Sequence, residues 1–123
     1  MSQIILVGLG GFFGSALRYA FSGWIHRSLA SEWFPYGTLA VNVFGCFAMG
    51  FLAGFEENHG VFTHETRLLL FIGLIGGFTT FSSFAYETFY LARNAAYVAA
   101  VANLIIELVL GVFAVWVGHM LAR

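Results

Sequence analysis

Polar side chains stand at few places in this apolar chain, and their types limit the chemistry it can do. Thr38 and Asn42 are four residues apart, with Gly45 and Met49 following on the same helical face. A run from Gly73 to Phe84 puts the adjacent glycines Gly76 and Gly77 just before four hydroxyl residues, Thr79, Thr80, Ser82 and Ser83. Phe81 and Phe84 are three apart and point the same way, with Glu87 another three residues on. Asn103, Glu107 and Gly111 share a further face, and Arg18 stands alone among apolar neighbours. The hydroxyls and the Asn42 amide are neutral hydrogen-bond donors beside aromatic rings, whose edges carry positive potential. Such a set can coordinate a small anion without a fixed positive charge.

Other chemistries lack their residues. His26, His59, His64 and His119 form no cluster with metal-ligand spacing on one helix face, the first three being expected in connections. There is no nucleophile elbow, P-loop or dinucleotide fingerprint. The glycines from Gly8 to Gly14 match a Gly-rich loop loosely but sit inside an apolar stretch, where they read as a helix-packing face. With no Lys and five scattered Arg, the chain is no nucleic-acid binder. Cys46 is the single cysteine, which excludes a disulfide framework.

The elements that must position these residues follow from composition. Of 123 residues, 60% are hydrophobic and 9% charged. Soluble domains average about 45–50% and about 25%. Four bilayer crossings at about 20 residues each would use about 80 residues and leave about 40 for connections and ends. The reading is an all-α membrane protein, a single transmembrane domain over 1–123 with helices at about 4–27, 36–56, 66–92 and 95–121. The first span opens without Lys or Arg, so it lacks the basic flank of a cleaved signal peptide and is expected to be retained. Ser28, Ser31, Glu32 and Pro35 are expected to form the turn that follows it. The third helix is expected to break near 76–80, because paired glycines and hydroxyl residues weaken a helix. Irregular backbone at that depth is tolerated when buried in protein or lining a watery cavity. The same run would also serve as a close-packing face with hydroxyls bonded back to the helix.

Orientation gives a tie. Arg67 and Arg123 flank one side and Arg27 and Arg93 the other, with Arg18 inside the first span. A chain without orientation preference can insert both ways and pair with its own inverted copy. Ionisable groups within spans default to functional hypotheses. Arg18 either snorkels to the headgroups or lends positive potential to an anion vestibule. Glu107, at mid-span, must be protonated, paired or facing water.

Three segments together resemble the Fluc (CrcB-type) fluoride channels: Gly14-Ser15-Ala16-Leu17-Arg18-Tyr19, Gly37-Thr38-Leu39-Ala40-Val41-Asn42, and Gly76 to Phe84 with Glu87. The similarity covers essentially the whole chain. It implies a fluoride-selective channel that exports cytoplasmic fluoride by passive electrodiffusion across the plasma or inner membrane. It also implies an antiparallel dual-topology homodimer with two pores and a central structural sodium ion. By matching positions, Asn42 is the pore asparagine and Phe81 and Phe84 the paired pore phenylalanines. Thr38, Ser82 and Ser83 form the polar track, with Glu87 and Arg18 matching the family's third-helix glutamate and first-helix arginine. The sodium is held by the backbone carbonyls of Gly76 and Thr79 from both subunits. One departure stands out: many members carry a Gly-Ser pair where this chain has Ile106-Glu107. A carboxylate there would repel fluoride unless protonated or paired, with Arg18 or another donor, and Asn103 would supply a donor instead. Two other readings compete with the channel. One is a proton-coupled transporter of the small multidrug-resistance kind using Glu107, although that family places its glutamate in the first span. The other is a non-conducting packing protein.

Overall fold

The computed structural model describes residues 2–30 and 33–123. Four helical spans are long and apolar enough to cross a membrane: Ser2–Leu29, Tyr36–His59, His64–Arg93 and Tyr97–Leu121. We label them α1 (Ser2–Leu29), α2 (Tyr36–His59), α3 with α4 for the third, and α5 (Tyr97–Leu121). The third span divides into α3 (residues 64–78) and α4 (Phe81–Arg93).

Helical structure continues past the apolar stretches into polar ends, since backbone groups that leave the ladder need other partners. His26 and Ser28 therefore lie inside α1, His59 closes α2 and His64 opens α3, not in connections as expected. Ser31 and Glu32 fall outside the described residues. Pro35 immediately precedes α2, where its missing N–H costs nothing. Gly60 ends α2 in the left-handed region (φ 58°), its N–H on the Glu56 carbonyl at 2.7 Å. Thr63 caps α3 by accepting from the Thr66 amide at 3.2 Å.

The break is narrower than expected. Gly76 is helical (φ −61°, ψ −35°), and only Thr79 (ψ 157°) and Thr80 (φ −149°, ψ 112°) are extended. Paired glycines permit a break but do not force one. The interruption falls where the next helix finds a cap and a neighbouring side chain takes up the freed backbone. Upstream, Leu68–Ile75 winds in wide π-type turns, which no residue pattern foretold.

Packing joins α1 to α3 and α2 to α5. Both seams are built on glycine, which lets helix backbones approach closely where lipid offers no hydrophobic drive. Gly10 and Gly14 face Gly73 and Gly77. A Cβ at Gly10 would lie 2.9 Å from the Gly73 Cα, and one at Gly77 would lie 2.9 Å from the Gly11 Cα. Across the other seam, a Cβ at Gly50 would stand 2.8 Å from the Val115 Cα, and one at Gly118 the same distance from the Phe51 amide. Val41 and Asn103 are the largest fully buried side chains, whereas Phe12, Phe44, Phe81 and Phe113 point outward. Among the described residues, ion pairs sit at one end, Glu56 with Arg67 and Glu57 with His119.

Gly14→Val should lower thermal stability in detergent by about 1–3 kcal/mol or more through overpacking. A Cβ at Gly8 meets nothing within 4 Å. Gly8→Ala should therefore melt at or slightly above the wild-type temperature.

Candidate functional site

Two backbone units leave the helical ladder in the middle of the third span, and a buried group left unpaired costs about 1–3 kcal/mol. The Thr79 amide still reaches the Ile75 carbonyl at 2.9 Å, joined by the Thr79 hydroxyl at 3.0 Å. Thr80 is served from another helix. Its amide donates to Asn42 Oδ1 at 2.8 Å, and its carbonyl accepts from Asn42 Nδ2 at 3.1 Å. A carboxamide has the same donor and acceptor as a peptide, so Asn42 replaces a missing stretch of backbone.

Thr80 also starts the next helix. Its Oγ1 accepts from the Ser83 amide at 3.2 Å, donates to Ser83 Oγ at 3.0 Å and lies 3.3 Å from Ser82 Oγ. Sequence reasoning did not single out this residue as a site. The signal was present, since a Thr placed three before a Ser at the end of an interruption is an N-cap pattern.

The Asn42–Thr80 pair stands between two cavities. One, of about 530 Å³, is lined by Arg18, Ser22, His26, Thr38, Ser83 and Glu87 among others. The second, of about 300 Å³, is lined by Asn42, Cys46, Phe81, Phe84 and Glu107 among others. Thr80 lines both. In the first, Thr38 Oγ1 donates to Glu87 Oε1 at 2.6 Å, and Glu87 Oε2 is buried without a partner among the described residues. Arg18 Nη1 donates to the Thr79 carbonyl at 3.3 Å. In the second, Phe81 and Phe84 meet edge to face, centroids 5.6 Å apart. Phe84 is 6% exposed and Phe81 78%. Ser82 lines neither cavity and lies on the exposed side of α4.

Glu107 is only 8% exposed. Each of its carboxyl oxygens lies 3.3 Å from Asn42 Nδ2, so its partner is Asn42 and not Arg18. Asn103 does not join it in the cavity. That side chain is fully buried and donates to Thr88 Oγ1 at 2.8 Å, which in turn donates to the Phe84 carbonyl at 2.8 Å. It fastens α5 to α4.

A family model described as CrcB-like protein, Camphor Resistance (CrcB), matches residues 5–119. The chain belongs to the CrcB family. "Fluoride-specific ion channel FluC 1" of Methanosarcina acetivorans is 43% identical over 122 residues, covering 99% of this chain and 92% of its own length. The "Fluoride-specific ion channel FluC" of Parabacteroides distasonis is 44% identical, covering 100% of this chain and 94% of its own. That of Methylobacillus flagellatus is 42% identical, covering 100% and 96%. These CrcB relatives are named as ion channels, not enzymes. The chain is accordingly a multi-pass membrane protein.

The break also decides which groups of this CrcB chain suit a cation. Among the described residues, no cluster of three or more His, Cys or acidic side chains is placed to hold a metal. Backbone carbonyls are the alternative. The Gly76 carbonyl loses the Thr80 amide that an unbroken helix would give it, because that amide is on Asn42. The Thr79 carbonyl, on extended backbone, holds Arg18 through one long bond and keeps a second lone pair. Hard oxygen donors of this kind fit sodium in type.

Thr80→Val should remove the cap of α4 and lower thermal stability by about 0.5–2 kcal/mol, read from melting in detergent. Thr88→Val, which breaks the Asn103 tie without touching either cavity, should destabilise while leaving ion flux per folded protein unchanged.

Proposed function

We propose that this chain is a fluoride-selective channel that lets cytoplasmic fluoride leave the cell by passive electrodiffusion. The observation that carries the reading is the arrangement on either side of the Asn42–Thr80 pair. A cavity with the hydroxyls of Thr38 and Ser83 and the guanidinium of Arg18 adjoins one walled by Phe81 and Phe84. The relatives named as fluoride-specific ion channels, identical at 42–44% along the whole chain, support the choice of ion.

Fluoride is small and strongly hydrated, so a pore must replace its water with donors. The Ser83 hydroxyl and the Asn42 amide do this without fixed charge, joined by Thr38 when its hydroxyl turns from Glu87, which lets the ion leave as well as enter. Ring edges of Phe81 and Phe84 add weak positive potential. Arg18 draws anions toward the vestibule, and Glu87, tied to Thr38, orients that hydroxyl.

The working unit in this proposal is an antiparallel, dual-topology homodimer with two pores. The two-against-two arginine tally supports both insertions, and the 78% exposure of Phe81 leaves that wall to be covered by a second copy. Gly76 and Thr79 carbonyls from both copies would hold a structural sodium ion, which supplies positive charge between the two pathways.

Reconstituted protein should release fluoride from liposomes, with the release requiring a counter-ion path, as an electrogenic leak does. A proton gradient alone should drive no uphill fluoride movement, which separates the channel from a proton-coupled transporter using Glu107. Asn42→Asp, which loses a donor, and Phe81→Ile, which loses a ring edge, should each cut the rate at least about tenfold, equivalent to about 1.4 kcal/mol. Removing sodium should lower the rate further. Absence of fluoride release from the wild type would end this reading.

A further inference from the structure

The Asn42 amide group has two hydrogens, and both are engaged. One goes to the Thr80 carbonyl at 3.1 Å; the other faces the two Glu107 oxygens, each at 3.3 Å. An anion arriving at Asn42 therefore finds another anion's position already filled. Glu107 lies in the same cavity as Phe81 and Phe84, and a carboxylate, like fluoride, is an anionic acceptor of hydrogen bonds. Its hold is loose, since charge-assisted N–H···O bonds normally close to about 2.7–2.9 Å.

Nothing cationic among the described residues is bonded to Glu107. Among the described residues its only hydrogen-bond donor is Asn42. The facing elements bring Asn42 and Cys46 from α2, Ile75 and Thr79 from α3 and the break, and Phe81 and Phe84 from α4. Cys46, the other titratable side chain of that lining, carries no positive charge. Arg18, the one arginine at this depth, is turned to the Thr79 carbonyl. Among the described residues no side-chain cation neutralises the group, and protonation would.

We propose that Glu107 is a tethered competitor for fluoride at the Asn42 amide, and that its protonation opens the pathway. As a carboxylate it repels fluoride and occupies the donor. As a carboxylic acid it is a weaker acceptor and adds an O–H to the row. Flux then rises as pH falls. The inference rests on the channel reading above.

The test is fluoride efflux from liposomes holding the full chain, at pH about 8 and about 5.5 on both sides, with the leak of protein-free vesicles subtracted. Wild type should be at least about tenfold faster at the lower pH, since a hydrogen bond to a charged group is about twice as strong as a neutral one. Glu107→Gln and Glu107→Ser should be fast at both. Equal wild-type rates at the two pH values would overturn the proposal while leaving the channel reading intact. So would variants that keep the wild-type pH dependence, or folded variants slower than wild type at both. No fluoride release from wild type or variants at either pH would overturn the channel reading itself. Should neither variant fold, infrared spectra of the wild type decide: a carboxylic-acid carbonyl band growing in step with the flux supports the proposal, and a flux rise without it refutes it.

Discussion

One side chain standing in for a peptide unit makes the rest of this structure possible. In a bilayer no water is at hand for a backbone that leaves its helix, and each orphaned group weighs against the fold. Asn42 accepts from the Thr80 amide and donates to the Thr80 carbonyl, so the chain can run extended for two residues at mid-span. Because Thr80 is held there, its hydroxyl can cap α4 and set the direction in which Phe81, Ser83, Phe84 and Glu87 project. Because the break is held there, the Gly76 carbonyl goes without its usual amide.

That interaction in turn depends on glycine. A Cβ at Gly45, one turn after Asn42, would fall on the Thr79 methyl group, so α2 reaches the break only because the position is bare. The α1–α3 seam does the same from the other side. With Gly14 packed so that a Cβ would sit 2.8 Å from the Phe78 amide, α1 runs close enough for Arg18 to reach the Thr79 carbonyl. Small residues in this chain are therefore the means by which three helices converge on two extended residues.

Much of this was legible in the residues, and what was not has definite causes. Four spans follow from apolar length, since nothing else satisfies so long an apolar backbone in lipid. Asn42 and the run from Gly76 to Phe84 each stand out as polar groups at membrane depth. That they touch does not follow, because 38 residues separate Asn42 from Thr80 and only the packing of α2 closes that distance. The break was expected over 76–80 on glycine's weak helix propensity, but propensity says where a helix can fail and not where the failure finds partners. Ser82 and Ser83 look equivalent as letters; the first turn of α4 sends Ser83 into a cavity and leaves Ser82 outside. Glu107 reads as a carboxylate in need of Arg18 or another donor; the donor is Asn42, and Arg18 is bonded to the Thr79 carbonyl. The role of Asn103 could not be read, because Thr88 lies on another helix and its spacing carried no signal.

The charged groups at membrane depth share one arrangement that bears on conduction. Arg18 is bonded to a carbonyl, Glu87 to a hydroxyl and Glu107 to an amide; none is paired with an opposite charge. Among the described residues, opposite charges meet near the span ends, Glu56 with Arg67 and Glu57 with His119. A buried ion pair is rigid, because removing one partner strands the other charge at a cost of about 3–5 kcal/mol. A charge held by a neutral dipole can exchange that dipole for another, or for a passing ion, at far smaller cost. Sites that must admit an ion and release it need this second kind of bond. The ion pairs of the described residues stand partly exposed at one end of the bundle, whereas neutral partners in the middle leave the polar groups around the break free to exchange partners.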